Sequence, residues 1–213
     1  LGSNTSIQDG FNLAWKLAAV LKGQAGEELL LSYNEERAPI AKQIVTRANQ
    51  SIGEFGPIFE ALGMTGGSDI DNIKANMDAR CDAGGAGEEQ RKALCKAIEF
   101  KKYEFDAHGV EMNQRYVSDA VFADGQTMPE FAEDSELHYQ PTTCPGARLP
   151  HAWVFEGQSG KQISTLDLCG HGQFTLLTGI GGENWVEAAK AIYDVLGIEI
   201  QTHIIHSAPR KIY

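Results

Sequence analysis

An α/β fold is expected for this chain, with a mostly helical stretch preceding a small strand-helix-strand module. Three observations predict it. Apolar residues recur at helical spacing from residue 7 to about residue 100, in runs separated by polar or glycine-containing breaks. Past residue 137, short runs of branched and aromatic residues take over, bounded by glycine turns. One amphipathic helix lies between the last two of those runs, the order that makes a parallel β-α-β unit with a right-handed crossover.

Residues 1–23 open with a turn of short polar residues, Gly2, Ser3, Asn4 and Thr5, and continue as a helix. Its apolar face is Ile7, Phe11, Ala14, Leu17 or Ala18, and Leu21. Ser, Asn or Thr suits the start of a helix and Gly23 its stop. Such a start presents backbone N–H donors and the positive end of the helix dipole, which suit an electron-rich or anionic group. Helical character persists to about residue 54 through Leu29, Leu30, Tyr33, Ile40, Ile44, Val45 and Ile52. Pro39 predicts a kink or a break, and Glu35, Glu36 and Arg37 beside it read as a solvated helix end with a local ion pair.

Residues 55–67 form a loop around a short apolar turn, residues 58–62, and Ser68 or Asp69 caps a helix reaching about Arg80. Residues 82–87 read as a flexible connection, because neither a preceding strand nor a following Gly-Lys-Ser/Thr makes their glycines a phosphate loop. A helix follows from Glu88 to about Phe100. Tyr103, His108, Asn113 and Tyr116 read as packing and hydrogen-bonding residues. Residues 115–122 fit a strand only loosely, and residues 123–137, with acidic Glu130, Glu133, Asp134 and Glu136, read as a solvated, exposed connection. That connection is the candidate boundary between residues 1–122 and residues 138–213. In the second part, residues 173–178 are a buried-strand candidate and residues 179–182 a turn. A helix starting at Asn184 and Trp185 presents Val186, Ala189, Ile192 and Leu196 and ends at Gly197, and residues 198–205 form the closing strand.

Composition narrows the function. A net charge of −11 and the lack of any Lys/Arg-rich run argue against nucleic acid and against an anionic membrane surface. No apolar run approaches the roughly 20 residues a membrane span needs. With 213 residues and 42% hydrophobic content, one large domain or two modest ones are both allowed. Cys81, Cys95, Cys144 and Cys169 show no C-x-x-C spacing and no adjacent histidines, so they read as reduced thiols rather than zinc ligands. His203 and His206 are the one close histidine pair, and on a strand they point to opposite faces, so no metal is expected.

Particular residue runs go further than these patterns. The run Gly2-Ser3-Asn4-Thr5-Ser6-Ile7-Gln8-Asp9-Gly10-Phe11-Asn12-Leu13-Ala14-Trp15-Lys16-Leu17 resembles the segment of class A flavoprotein aromatic hydroxylases that follows their second FAD motif. Ser32-Tyr33-Asn34-Glu35-Glu36-Arg37-Ala38-Pro39 resembles the next helix of that family. Ile44-Val45-Thr46-Arg47-Ala48-Asn49-Gln50-Ser51 and Glu54-Phe55-Gly56-Pro57-Ile58-Phe59 are similar to the branch of 2,4-dichlorophenol 6-monooxygenase and phenol 2-monooxygenase. Pro145-Gly146-Ala147-Arg148-Leu149-Pro150-His151-Ala152-Trp153 and Gly182-Glu183-Asn184-Trp185 resemble the thioredoxin-like C-terminal domain of the same enzymes.

The resemblance implies the C-terminal part of a larger enzyme, with the Gly-rich fingerprint and Gly-Asp motif of the FAD site upstream and the last domain incomplete. Residues 1–122 would close an FAD-binding hydroxylase domain, and residues 138–213 would form a thioredoxin-like module whose turn at residues 178–184 has no cysteine for redox work. The implied activity is FAD-dependent hydroxylation of a phenol or chlorophenol ortho to its OH, with NADPH and O2, in a cytoplasmic homo-oligomer. Leu1, Gly2, Ser3 and Asn4 are carried over as the cofactor-binding residues, their backbone N–H groups facing the pyrimidine edge of the flavin. The resemblance assigns no catalytic acid or base to this stretch. The alternative is a non-catalytic assembly module, a helical arm with a thioredoxin-like domain that mediates subunit contacts.

Overall fold

The computed structural model describes residues 2–65, 69–125, 127–157, 159–170 and 172–206. Helix α1 spans Gly2–Leu21. The expected opening turn is therefore helical: Gly2, Ser3, Asn4 and Thr5 belong to the first turn of α1. The stop is the expected one. Gly23 adopts φ +69°, and the amides of Gly23 and Gln24 reach back to the carbonyls of Val20 (3.0 Å) and Ala19 (2.9 Å), the double bond of a glycine-terminated helix.

A short 3-10 turn, Glu27–Leu30, leads into α2, Leu31–Gly53. Pro39 lies inside this helix, so of the two expected outcomes, a kink or a break, the break does not occur. Proline removes one i→i−4 bond, but its neighbours Glu36, Arg37 and Ile40 are all buried. Tertiary contacts made by those side chains outweigh the local propensity.

By their contacts the residues form two compact units, one of Leu1–Gly2, Ala38–Gln114 and Pro129–Gln140, the other of Ser3–Arg37, Arg115–Met128 and Pro141–Tyr213. The first unit is helical. It holds most of α2, then α3 (Gly56–Ala61), α4 (Ile70–Ala79), α5 (Gly85–Phe100), α6 (Lys102–Phe105) and α7 (His108–Met112). Asp69 caps α4 by accepting the Asp71 amide at 3.1 Å, and the alternative cap, Ser68, lies outside the described residues. The glycine run expected to be a linker instead starts α5. A side chain at buried Gly87 would collide with the carbonyl oxygens of Asp82 and Ala79, so a glycine there permits a close backbone approach that a linker would not need.

Residues 129–140 are fastened within the same unit. Asn113 donates to the carbonyls of Ser135 (3.0 Å) and His138 (2.8 Å) and accepts the Gln140 amide at 2.9 Å. Two members of the acidic cluster make side-chain bonds, although Asp134 itself stays exposed. Glu136 accepts from Arg47, which also pairs with Glu54, and Asp134 accepts the Tyr103 hydroxyl at 2.6 Å. That hydroxyl and two backbone amides hold the Asp134 carboxyl below its usual range. Lys101 is also buried here, donating to the Ser51 carbonyl at 2.8 Å with its ammonium 3.7 Å from the Phe55 ring centroid.

The second unit carries the strands. Residues 115–122 form no strand, only a bridge between Arg115 and Ala147. Here Gly146, at φ +85°, accepts the Tyr116 amide at 2.8 Å, and a Cβ at this position would strike the Tyr116 carbonyl. β1 (Trp153–Glu156) pairs antiparallel with β2 (Lys161–Ser164). β3 (Phe174–Thr178) pairs in parallel with β4 (Ile200–Ile204), in register from Phe174 opposite Ile200 to Thr178 opposite Ile204. Helix α8 (Glu183–Leu196) connects them, ended by Gly197 at φ +64°, as the strand-helix-strand reading expects. The mixture of helices and small sheets agrees with the α/β class. Among the described residues no helix is long and apolar enough to cross a membrane.

Candidate functional site

The residues expected to hold a cofactor sit at the amino end of α1. Gly2, Ser3 and Asn4 are exposed in its first turn, while Leu1 lies outside the described residues. The first amides of an α-helix have no intrahelical acceptor, and this turn contains no acidic side chain to neutralise the positive end of the dipole. An exposed first turn at the positive end of the helix dipole, with no acidic side chain in it, suits an electron-rich edge such as the pyrimidine side of a flavin.

Behind that turn is a polar cluster the sequence reading did not anticipate. The expected apolar face of α1 is outside: Ile7 is 70% exposed, Phe11 75% and Leu21 85%. Asn12, Lys16 and Ala19 are buried instead. Lys16 is wholly buried, and its ammonium donates to Ser32 Oγ at 2.6 Å and to Glu36 Oε2 at 2.7 Å. Asn12 Nδ2 donates to the same carboxylate oxygen at 2.7 Å, and Ser118 Oγ donates to Glu36 Oε1 at 2.7 Å. Ser32 passes its own proton to the Leu29 carbonyl at 2.6 Å. Burial by itself would push the Glu36 carboxyl up, but the bonds from Lys16, Asn12 and Ser118 outweigh it and hold the group below the usual carboxylate range.

Arg37, the next residue, is equally buried and points its fork at three acceptors. Nε donates to Asp9 Oδ1 at 2.7 Å, Nη2 to Gln8 Oε1 at 3.1 Å and Nη1 to Tyr116 Oη at 3.0 Å. Burial lowers its affinity for the proton, while Asp9 and Tyr116 raise it by more, so the guanidinium stays fully charged. Glu36 and Arg37 are thus not the solvated helix end the sequence suggested; only Glu35 is exposed. The signal for this was present. Gln8, Asn12 and Lys16 recur every four residues, a polar stripe on one helical face matched by an adjacent Glu-Arg pair.

Tyr116, read as a packing and hydrogen-bonding residue, accepts from Arg37 through its hydroxyl. The remaining polar contacts are structural. His151 Nδ1 lies 2.7 Å from Ser164 Oγ, but that hydroxyl caps the 3-10 turn Thr165–Leu168, with Asp167 reciprocating. Cys81, Cys95, Cys144 and Cys169 are free thiols.

Comparison with known proteins finds two families along the chain. Residues 1–48 match the FAD binding domain family, and residues 142–210 match the aromatic-ring hydroxylase C-terminal family. The chain is 52% identical over 205 residues to 2,4-dichlorophenol 6-monooxygenase of Delftia acidovorans, covering 96% of this chain and 35% of that one. The chain carries a segment of an FAD binding domain and the C-terminal domain of an aromatic-ring hydroxylase. It is 50% identical to phenol 2-monooxygenase of Pseudomonas sp. strain EST1001, covering 96% of this chain and 33% of the relative. The crystal structure of the flavin-dependent monooxygenase PieE in complex with FAD and substrate superimposes with a TM-score of 0.87 at 40% identity, over 96% of this chain and 35% of PieE. The chain therefore spans about a third of the length of these relatives.

Proposed function

We propose that this chain is the part of an FAD-dependent aromatic monooxygenase that closes one side of the flavin site, in an enzyme that hydroxylates a phenol or chlorophenol ortho to its OH using NADPH and O2. One observation carries the reading: identity of 50–52% over 96% of the chain to two relatives named for 2,4-dichlorophenol and phenol. Bound flavin would supply electron transfer and oxygen activation. The contribution of these residues is orientation and charge. The amides of Gly2, Ser3 and Asn4, with Leu1 ahead of them, would meet the pyrimidine edge and favour negative charge there. The exposure of that turn and its freedom from acidic side chains support the assignment.

By descent, residues 1–122 form the end of the FAD-binding hydroxylase domain, residues 123–137 a linker, and residues 138–213 a thioredoxin-like C-terminal module without redox cysteines. The family matches at residues 1–48 and 142–210 fall on either side of that linker, and the parallel β3-α8-β4 unit has the strand-helix-strand order such a module uses. We assign the enzyme to the cytoplasm and to a homo-oligomer, with a phenolic small molecule as substrate.

The test is Gly2→Val in the protein encoded by the complete gene. Loss of bound flavin, with the flavin-free variant keeping the thermal midpoint of the flavin-free parent, supports the assignment. Unchanged flavin occupancy removes Gly2 from the site, and a complete protein that never holds flavin rejects the function as a whole.

A further inference from the structure

The amino half of α1 is fixed in an unusual way. Its apolar side chains Ile7 and Phe11 are 70% and 75% exposed, so packing within this chain does not set where its first turn points. This half is held within the chain by a polar contact, the Arg37 fork on Gln8 and Asp9, adjacent residues one to two turns behind Gly2, Ser3 and Asn4. At a rise of about 1.5 Å per residue, Asn4 lies only about 6 Å along the axis from Gln8. The third arm of the fork, on Tyr116 Oη, ties the same guanidinium to the segment that also supplies Ser118 to Glu36.

We propose that Arg37 is a positioning residue for the flavin: it sets the angle and depth of the α1 amino terminus through Gln8 and Asp9, with the Glu36, Lys16 and Asn12 cluster as its anchor one to two turns further along the helix. The inference rests on the flavin-site reading above. A planar guanidinium satisfies three acceptors in fixed directions at once, which an ammonium on a flexible stem does not reproduce. Burying a charged pair gives little net stability compared with apolar packing, so its use here is directional. Arg37 touches neither substrate nor flavin in this scheme. It acts through the helix.

The experiment uses the complete enzyme with its flavin. Arg37→Lys retains the charge but not the fork, and Gln8→Met, at an exposed position, removes one acceptor without disturbing the pair with Asp9. Gly87→Ala, in the other compact unit, serves as a control of comparable thermal destabilisation. The readouts are the FAD dissociation constant, the ratio of hydroxylated product to NADPH consumed, and the thermal midpoint. Arg37→Lys is expected to weaken FAD about tenfold, as loss of an outer-shell partner does, and to lower the product ratio. Gln8→Met should move both in the same direction by less, while the control leaves both unchanged. If Arg37→Lys lowers the midpoint but matches the control in FAD affinity and product ratio, the positioning role is overturned. Should it fail to fold, Gln8→Met decides alone, and unchanged affinity and product ratio there overturn the proposal. Gly2→Val in parallel separates the two readings: flavin loss in Gly2→Val with none in Arg37→Lys rejects only the positioning role, whereas flavin retained in both rejects the site assignment beneath it.

Discussion

Helices α1 and α8 look alike in sequence, each with an apolar stripe at helical spacing, yet they use it in opposite ways. In α8 the first half of the expected stripe is turned inward, with Ala189 buried and Val186 half-buried, while Ile192 and Leu196 further along are exposed. In α1 the corresponding stripe faces outward, and the opposite side, with Asn12 and Lys16, is what the chain buries. Periodicity establishes that a helix has two faces. It does not establish which face a given stretch of chain covers, because a polar face is buried whenever a complementary set of donors and acceptors meets it. Glu36 and Arg37 supply that set, and the cluster is stable because nearly every charge in it has a partner within hydrogen-bond distance.

The contrast is sharpest at Lys16. Lys16→Ala leaves the Glu36 carboxylate buried without its cation, and removing one member of a buried pair is expected to destabilise by about 3–5 kcal/mol. Replacing Lys16 and Glu36 together by Met and Leu should be less harmful than either single change, which a double-mutant cycle in denaturant would show. Equal and additive losses would mean that the two charges do not depend on each other. Acid acts on the same pair. The folded-state pKa of Glu36 is depressed, so its contribution to stability is complete above the ordinary carboxylate value and is lost as pH falls through the lower, folded value. Unfolding followed by circular dichroism between neutral pH and pH ~3 should show a loss that shrinks in Glu36→Gln. The smallest effect is expected on the outer face of α1. Phe11→Ser should change the stability of this chain by no more than about 0.5 kcal/mol, since its ring is already in water.

Much of the fold was legible from residue type. Gly23 and Gly197 mark helix ends through their left-handed backbone, and the branched runs flanking α8 become the parallel pair β3 and β4. What failed did so for nameable reasons. Pro39 is a strong local signal for a break, but three buried neighbours hold the helix through it. The glycines at the start of α5 resemble a linker, yet Gly87 permits a close backbone contact that no local pattern encodes. The short polar residues that open α1, read as a turn, are its first helical turn. The supporting cluster was missed because its members lie far apart in sequence, as with Lys16 to Ser32 and Glu36 to Ser118, so that each alone reads as a surface charge or hydroxyl.

The central claim, that this chain works as part of a phenol-hydroxylating flavoenzyme, is tested most directly by the product of the complete gene. The purified protein should carry FAD and, given NADPH, O2 and either phenol or 2,4-dichlorophenol, should release the ortho diphenol identified by mass spectrometry. A protein that binds no flavin, or that oxidises NADPH at the same rate with and without a phenol and forms no diphenol, would contradict it.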